Sequence, residues 1–209
     1  MSAPAAGGGS LLRRRIIVVA TGVVGALTLA WGLRADPGSR RFYIGTFLLA
    51  AVWLIGGLLA GPMRIGSRRD APLAVGVGLG LAAVFIAGAF IVRQIPWLAD
   101  HVERVMDLAR GGNLALVYAS TVVNGVAEEV YFRGAMYPAV PERWRLVVVV
   151  GLYALVTLAT GNVMLAFAAV LVGVAVTWLR QRTDGVLAPI LAHVSWSLAM
   201  LAILPHLFN

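Results

Sequence analysis

Long apolar runs alternate with short polar segments along almost the whole chain. Most of these runs are close to the roughly 20 residues that a helix needs to cross a bilayer. We therefore predict an all-α, polytopic bundle of about seven transmembrane helices, near residues 16–33, 42–62, 72–95, 114–137, 146–160, 164–179 and 186–207. The fifth and sixth runs are short and nearly adjacent, so they form either a tight hairpin or a partly re-entrant pair.

Three features of the pattern depart from plain apolar helices. Residues 1–12 are small and flexible, which predicts a disordered tail and leaves 13–209 as a single membrane domain. In residues 97–113, charges alternate with Leu, Val and Met at helical spacing, as expected of an amphipathic helix lying at the membrane surface. Glycines at four-residue spacing, Gly57–Gly61 and Gly76–Gly80, predict close approach of helices.

Composition supports the interpretation as a membrane protein and excludes several kinds of functional site. The chain is 60% hydrophobic and 12% charged, whereas soluble domains carry about 25% charged residues. All 17 basic residues are arginines, clustered between the apolar runs as membrane topology signals rather than as a nucleic-acid site. Their distribution predicts a cytoplasmic N-terminus. We expect the membrane to be a bacterial cytoplasmic membrane. The absence of cysteine excludes disulfides and thiol nucleophiles.

Two adjacent carboxylates are the least expected residues in this pattern. Of nine acidic residues, only Glu128 and Glu129 fall within a predicted span. A charge at that depth costs at least about 2.5 kcal/mol, so such residues are candidates for a functional site.

Helical geometry separates these two glutamates. Glu129 lies four residues before Arg133, the better order for an ion pair, and a structural salt bridge would explain it. Glu128 has no such partner and is a candidate general base. At 100° per residue its helix face also carries a polar stripe with aromatic edges, directed into the bundle and formed by Thr121, Asn124, Tyr131 and Phe132.

The last span contains a second polar pair. His193 and Ser197 are four residues apart and share a helix face. An intramembrane histidine is either an interior hydrogen-bonding group or part of a catalytic site, and a buried glutamate elsewhere favours the second. His101 and His206 lie near the predicted membrane boundaries and receive no role.

Two sequence blocks carry a resemblance to a known family. EEVYFR, residues 128–133, fits the EExxxR motif of the CPBP family, the CAAX-protease and bacteriocin-processing membrane proteins also called Abi. RTDGVLAPILAHVSWS resembles the final motif of that family, in which a helix carries HxxxN or a close variant. The resemblance covers about residues 114–204.

The resemblance implies an all-helical intramembrane protease that hydrolyses a peptide bond near the cytoplasmic side. It assigns water activation to Glu128, with Glu129 and Arg133 as its support. It assigns oxyanion stabilisation to His193, with Ser197 in place of the usual asparagine. The middle FxxxH motif of the family aligns with Tyr153 and Thr157, so threonine replaces the histidine that would assist the base.

The sequence leaves several functions open. Only one histidine lies within a span, and the threonine that replaces the family histidine is a poor metal ligand, so we expect neither a metal nor another cofactor. We favour an endopeptidase of weak or altered activity that cleaves a membrane protein or peptide. The alternative is a catalytically inactive scaffold or accessory subunit with partners in a membrane complex. A transporter or proton relay ranks last, because the paired broken helices of secondary transporters are missing.

Overall fold

The protein folds as a bundle of α-helices. The computed structural model describes residues 8–32, 35–36 and 38–208, and within these ranges it contains no strand. The α-helices of that part are α1 (Gly8–Gly32), α2 (Arg40–Leu59), α3 (Ala71–Val92), α4 (Pro96–Arg110), α5 (Leu114–Glu129), α6 (Tyr137–Ala139), α7 (Arg145–Leu158), α8 (Val163–Thr183) and α9 (Leu187–Ile203). A π-helical segment, Val130–Met136, joins α5 to α6.

The described helices confirm the predicted fold class. Five of them, with their flanking turns, are long and apolar enough to cross a membrane: Gly9–Gly32, Arg40–Leu59, Arg68–Val92, Val163–Thr183 and Leu187–His206. The other two predicted spans are α5 with its π-helical continuation and the 14-residue α7. At 1.5 Å per residue α7 is about 21 Å long, less than the roughly 30 Å hydrocarbon core. The count of seven spans stays a prediction.

Two predicted segments can be compared with the helix boundaries. Residues 1–7 of the predicted N-terminal tail lie outside the described residues, and residues 8–12 form the start of α1. The predicted amphipathic segment is α4, whose buried residues Ala99, Val102 and Met106 pack against the ends of α3 and α9. Its position at a membrane surface stays a prediction.

An aromatic cluster forms the core on one side of the site. Trp53 of α2 is 1% exposed and stacks on Tyr131, with their ring centroids 4.5 Å apart. Phe132 packs against the same indole. Gly25 of α1 makes room for this ring, because a Cβ there would overlap the Trp53 side chain. The core therefore fixes the π-helical segment against α1 and α2.

Helix α9 crosses α3 at a glycine that the spacing did not predict. A Cβ at Gly78 would overlap the backbone of Ala192, the residue before His193. Gly76 and Gly80 have open space around them, so the prediction that they mediate close packing was wrong. In a helix that is apolar on every side, four-residue spacing does not reveal which face meets a neighbour. Gly57 does pack closely, against Val130.

Helices α5 and α9 run antiparallel beside each other. Arg110, the last residue of α4 and four residues before α5 begins, donates a hydrogen bond to the carbonyl of Pro205, just after α9. Near the other end, a Cβ at Gly134 would lie 3.5 Å from the Val186 side chain. Residues that precede Glu129 along α5 therefore lie level with residues that follow His193 along α9.

Candidate active site

A buried arginine ties the predicted EExxxR segment to α8. Arg133 is fully buried in the π-helical segment and donates to Glu129 Oε1 at 2.9 Å. Its other nitrogens donate to the Gly173 carbonyl at 3.2 Å and to the Thr177 hydroxyl at 3.4 Å. The predicted ion pair with Glu129 is thus present, and Gly173 and Thr177 are partners that the sequence did not reveal. π-Helical turns are frequent at functional sites because they displace side chains from the regular helical order.

Glu129 holds a histidine as well as an arginine. Its Oε1 lies 2.8 Å from His193 Nδ1, and both residues are buried. An ionised carboxylate only accepts hydrogen bonds, so Nδ1 carries the proton in this contact. The interaction fixes the orientation of the imidazole and directs its other nitrogen, Nε2, to the side of Glu128. Glu129 therefore has a positioning role that its i,i+4 spacing to Arg133 did not predict.

Glu128 contacts a tyrosine rather than the residue expected from the middle motif. The Tyr153 hydroxyl donates to Glu128 Oε2 at 2.7 Å, and His193 Nε2 lies 4.0 Å from the same oxygen. Thr157 donates instead to the carbonyl of Tyr153 in its own helix. Tyr153 was missed as a partner of Glu128, although its place opposite the family phenylalanine already located it in the middle motif.

A cavity of about 360 Å³ opens beside Glu128. It lies between α1, α2, α4, α5, α8 and α9, and most of its wall is apolar. Its polar wall residues are Thr46, Ser120, Thr121, Asn124, Glu128, Trp196 and Ser197. Three predicted members of the polar stripe and the predicted Ser197 therefore face one space.

The predicted stripe ends at Glu128. Tyr131 and Phe132 do not line the cavity but pack in the aromatic core, where the Tyr131 hydroxyl donates to the Val18 carbonyl at 2.7 Å. The prediction placed both rings beside Glu128, whereas the structure packs both against Trp53.

The assembled groups suit acid–base chemistry on an uncharged substrate. One carboxylate borders a cavity, a histidine fixed by a second carboxylate lies beside it, and a tyrosine hydroxyl orients the first. Among the residues that the structure describes, no three His, Cys, Asp or Glu side chains meet as ligands for a metal ion. The absence of a cofactor stays a prediction.

The comparison with family models agrees with the geometry. Residues 110–199 match the model described as "Rce1-like: Type II CAAX prenyl endopeptidase Rce1-like". That region contains α5, the π-helical segment, α7, α8 and the part of α9 that carries His193 and Ser197. No curated protein and no solved structure matches the chain. The resemblance to the CAAX-protease family is thereby confirmed, and the protein is an integral membrane protein similar over residues 110–199 to type II CAAX prenyl endopeptidases of the Rce1-like kind.

Proposed function

We propose that this protein is an intramembrane endopeptidase in which Glu128 activates a water molecule to hydrolyse a peptide bond. The observation that carries the proposal is the pairing of two glutamates with one histidine. Glu129, held by Arg133, contacts His193 through Nδ1, and this leaves Nε2 4.0 Å from the Glu128 carboxylate at the cavity wall. A buried network of this kind preorganises a site, which is a large contribution to catalysis.

The proposed reaction is a water-mediated acyl transfer. Glu128 takes a proton from water, whose oxygen attacks the carbonyl carbon of the substrate peptide bond. The resulting oxyanion accepts hydrogen bonds from His193 Nε2 and the Ser197 hydroxyl. When the C–N bond breaks, Glu128 returns the proton to the amine nitrogen. The oxyanion role requires the imidazolium form of His193, because the neutral form with a proton on Nδ1 has an unprotonated Nε2.

Cleavage of membrane peptides tests the proposal. Wild-type protein, Glu128→Gln and a control variant, Glu103→Gln, would be reconstituted in lipid vesicles with a library of single-span peptides, including prenylated members. Glu103 is exposed on α4. We expect cleavage by the wild type and the control, and a rate about 10²–10⁴ lower in Glu128→Gln. Equal cleavage by all three, or by none, would contradict the proposal.

We propose that the N-terminus is cytoplasmic, because the arginine distribution favours that orientation, and that the protein lies in a bacterial membrane. Because the chain lacks cysteine, single-cysteine variants report topology without background. With a membrane-impermeant maleimide on intact cells, we expect labelling of Gln94→Cys, between α3 and α4, and none of Arg68→Cys, between α2 and α3. The reverse pattern would invert the topology and place the loop between α2 and α3 outside the cell.

One observation favours a second candidate, an inactive scaffold or accessory subunit of a membrane complex. The hydroxyl of Thr157, which stands in the position of the family histidine, donates to the Tyr153 carbonyl in its own helix rather than to Glu128. Purification in mild detergent followed by mass spectrometry tests this candidate. Stoichiometric partners together with no peptide cleavage would support it, and recovery of the protein alone with Glu128-dependent cleavage would exclude it.

A further inference from the structure

Three buried polar atoms at the proposed active site lack a hydrogen-bond partner among the described residues: Glu129 Oε2, Asn124 Oδ1 and Trp196 Nε1. Glu129 belongs to the ion-paired network already described, which leaves Asn124 Oδ1, an acceptor, and Trp196 Nε1, a donor. The Asn124 side-chain nitrogen donates to the Ser120 carbonyl at 2.9 Å, which fixes its oxygen as the outward group. Both residues line the cavity that Glu128 borders. Buried polar atoms are nearly always paired, so each such exception calls for a physical explanation.

The antiparallel arrangement of α5 and α9 brings these two residues to the same level. Asn124 lies one helical turn before Glu128, and Trp196 lies one turn after His193. Between them, a Cβ at Gly125 would lie 3.4 Å from the Val194 side chain, so the helices are close at this height. The Trp196 ring is also fixed, because it packs edge-on against Phe85 at 5.2 Å and beside His193 at 6.1 Å. The donor and the acceptor therefore belong to two adjacent helices at one level of the same cavity.

A single chemical group could pair with both the donor on α9 and the acceptor on α5. A trans secondary amide carries its N–H and its C=O on opposite sides of a planar unit. An ester or a tertiary amide carries only acceptors and would leave Asn124 Oδ1 unpaired. The ester linkages of membrane lipids are therefore poorer occupants than a polypeptide main chain.

We propose that Asn124 and Trp196 form a subsite for one peptide group of the substrate main chain, an inference that rests on the proposed endopeptidase function. Asn124 Oδ1 accepts from the substrate N–H, and Trp196 Nε1 donates to its carbonyl. One helical turn is 5.4 Å and an extended chain rises about 3.3 Å per residue, so this peptide group lies about two residues from the scissile bond. Main-chain recognition of this kind gives affinity without demanding a particular side chain.

Small amphiphiles test this subsite without depending on cleavage. The probes are N-hexylacetamide, which has an N–H and a C=O, and hexyl acetate, which has only acceptors. The measurement follows the indole ¹H–¹⁵N resonances of the protein in lipid nanodiscs, with that of Trp196 assigned by its loss in Trp196→Phe. Trp178, which is exposed on α8, serves as the internal control.

We expect N-hexylacetamide to shift the Trp196 resonance in a saturable way and to leave that of Trp178 in place. Hexyl acetate should bind about two- to tenfold more weakly, the equivalent of one hydrogen bond. Asn124→Leu should bring the two affinities together. Equal affinities in the wild type, or no saturable shift of Trp196, would overturn the subsite.

The same samples separate failure of the subsite from failure of the protease. In Glu128→Gln, amide binding should persist within about twofold of the wild type, while peptide cleavage is lost. Glu128-dependent cleavage with no amide preference would refute the subsite alone. Amide preference with no cleavage would support the subsite and refute the protease.

Discussion

The two adjacent glutamates occupy contrasting regions of the site. The side chain of Glu129 is 0% exposed and shared between Arg133 and His193, whereas that of Glu128 is 21% exposed and borders the cavity. Glu129 belongs to a closed network joining the π-helical segment, α8 and α9. Glu128 has one tyrosine partner and an open side. Two adjacent residues of identical chemistry therefore take different roles because different helices surround them: Glu129 positions other side chains, and Glu128 faces the cavity.

Removing Arg133 from the buried network of Glu129, Arg133 and His193 should cause the largest loss of stability. We expect Arg133→Met to lower the free energy of unfolding by about 3–5 kcal/mol, because it leaves the buried Glu129 charge without its main partner. The double variant Glu129→Leu/Arg133→Met should recover part of that loss, since both charges are then absent. SDS titration of the purified protein measures both. A loss below about 1 kcal/mol in Arg133→Met would contradict a closed network.

A displacement of α9 should affect the surroundings of both glutamates, because His193 lies on this helix. We expect Gly78→Ala to destabilise the protein by about 1–3 kcal/mol, because its Cβ overlaps the backbone before His193. The matched control on the same helix is Gly76→Ala, which meets open space and should be stabilising by about 0.5–1 kcal/mol. Thermal unfolding of the two variants in detergent would reveal the difference, and equal stabilities would refute the close crossing of α3 and α9.

Removing the partner of Glu128 should affect activity more than stability. We expect Tyr153→Phe to lower the cleavage rate about tenfold, because it removes one hydrogen bond worth about 1.4 kcal/mol from the base. Thr157→Val should change the rate less than about twofold, since that hydroxyl bonds only its own helix. If Thr157→Val lowered the cleavage rate more than Tyr153→Phe, Thr157 rather than Tyr153 would be the residue that assists Glu128.

Asp184 forms an exposed ion pair that can be compared with the buried pair of Glu129 and Arg133. Asp184 follows α8, is 56% exposed and pairs with Arg180, four residues earlier, and with Arg64. The Arg180 hydrogen bond holds the pKa of Asp184 below its usual value. Its contribution is therefore complete above the unfolded pKa of about 3.9 and is lost as the pH falls through the lower folded pKa. Water screens this pair, so we expect Asp184→Asn to cost below about 1 kcal/mol at neutral pH.

A pH titration of stability checks the exposed pair. The difference in unfolding free energy between wild type and Asp184→Asn should vanish as the pH falls below that lowered pKa. A neutral-pH loss as large as that of Arg133→Met would remove the distinction between buried and exposed pairs.

The amino-acid sequence alone was enough to predict the helical membrane fold, the resemblance to the CAAX-protease family and the chemical identities at the site. Apolar runs of spanning length leave little alternative to helices, since every backbone polar group in lipid must be satisfied internally. Fixed spacings within a single helix also sufficed to pair Glu129 with Arg133 and to place Asn124 on the face of Glu128.

Contacts between helices became known only from the three-dimensional structure. Spacing within α5 cannot reveal that Glu129 contacts His193, that Tyr153 donates to Glu128, or that Asn124 and Trp196 line one cavity. Packing against Trp53 of α2 placed Tyr131 and Phe132 in the core rather than at the cavity, and the uniformly apolar α3 concealed Gly78 as its packing glycine. These outcomes depend on helix rotation and crossing, which are set by side-chain packing between distant segments.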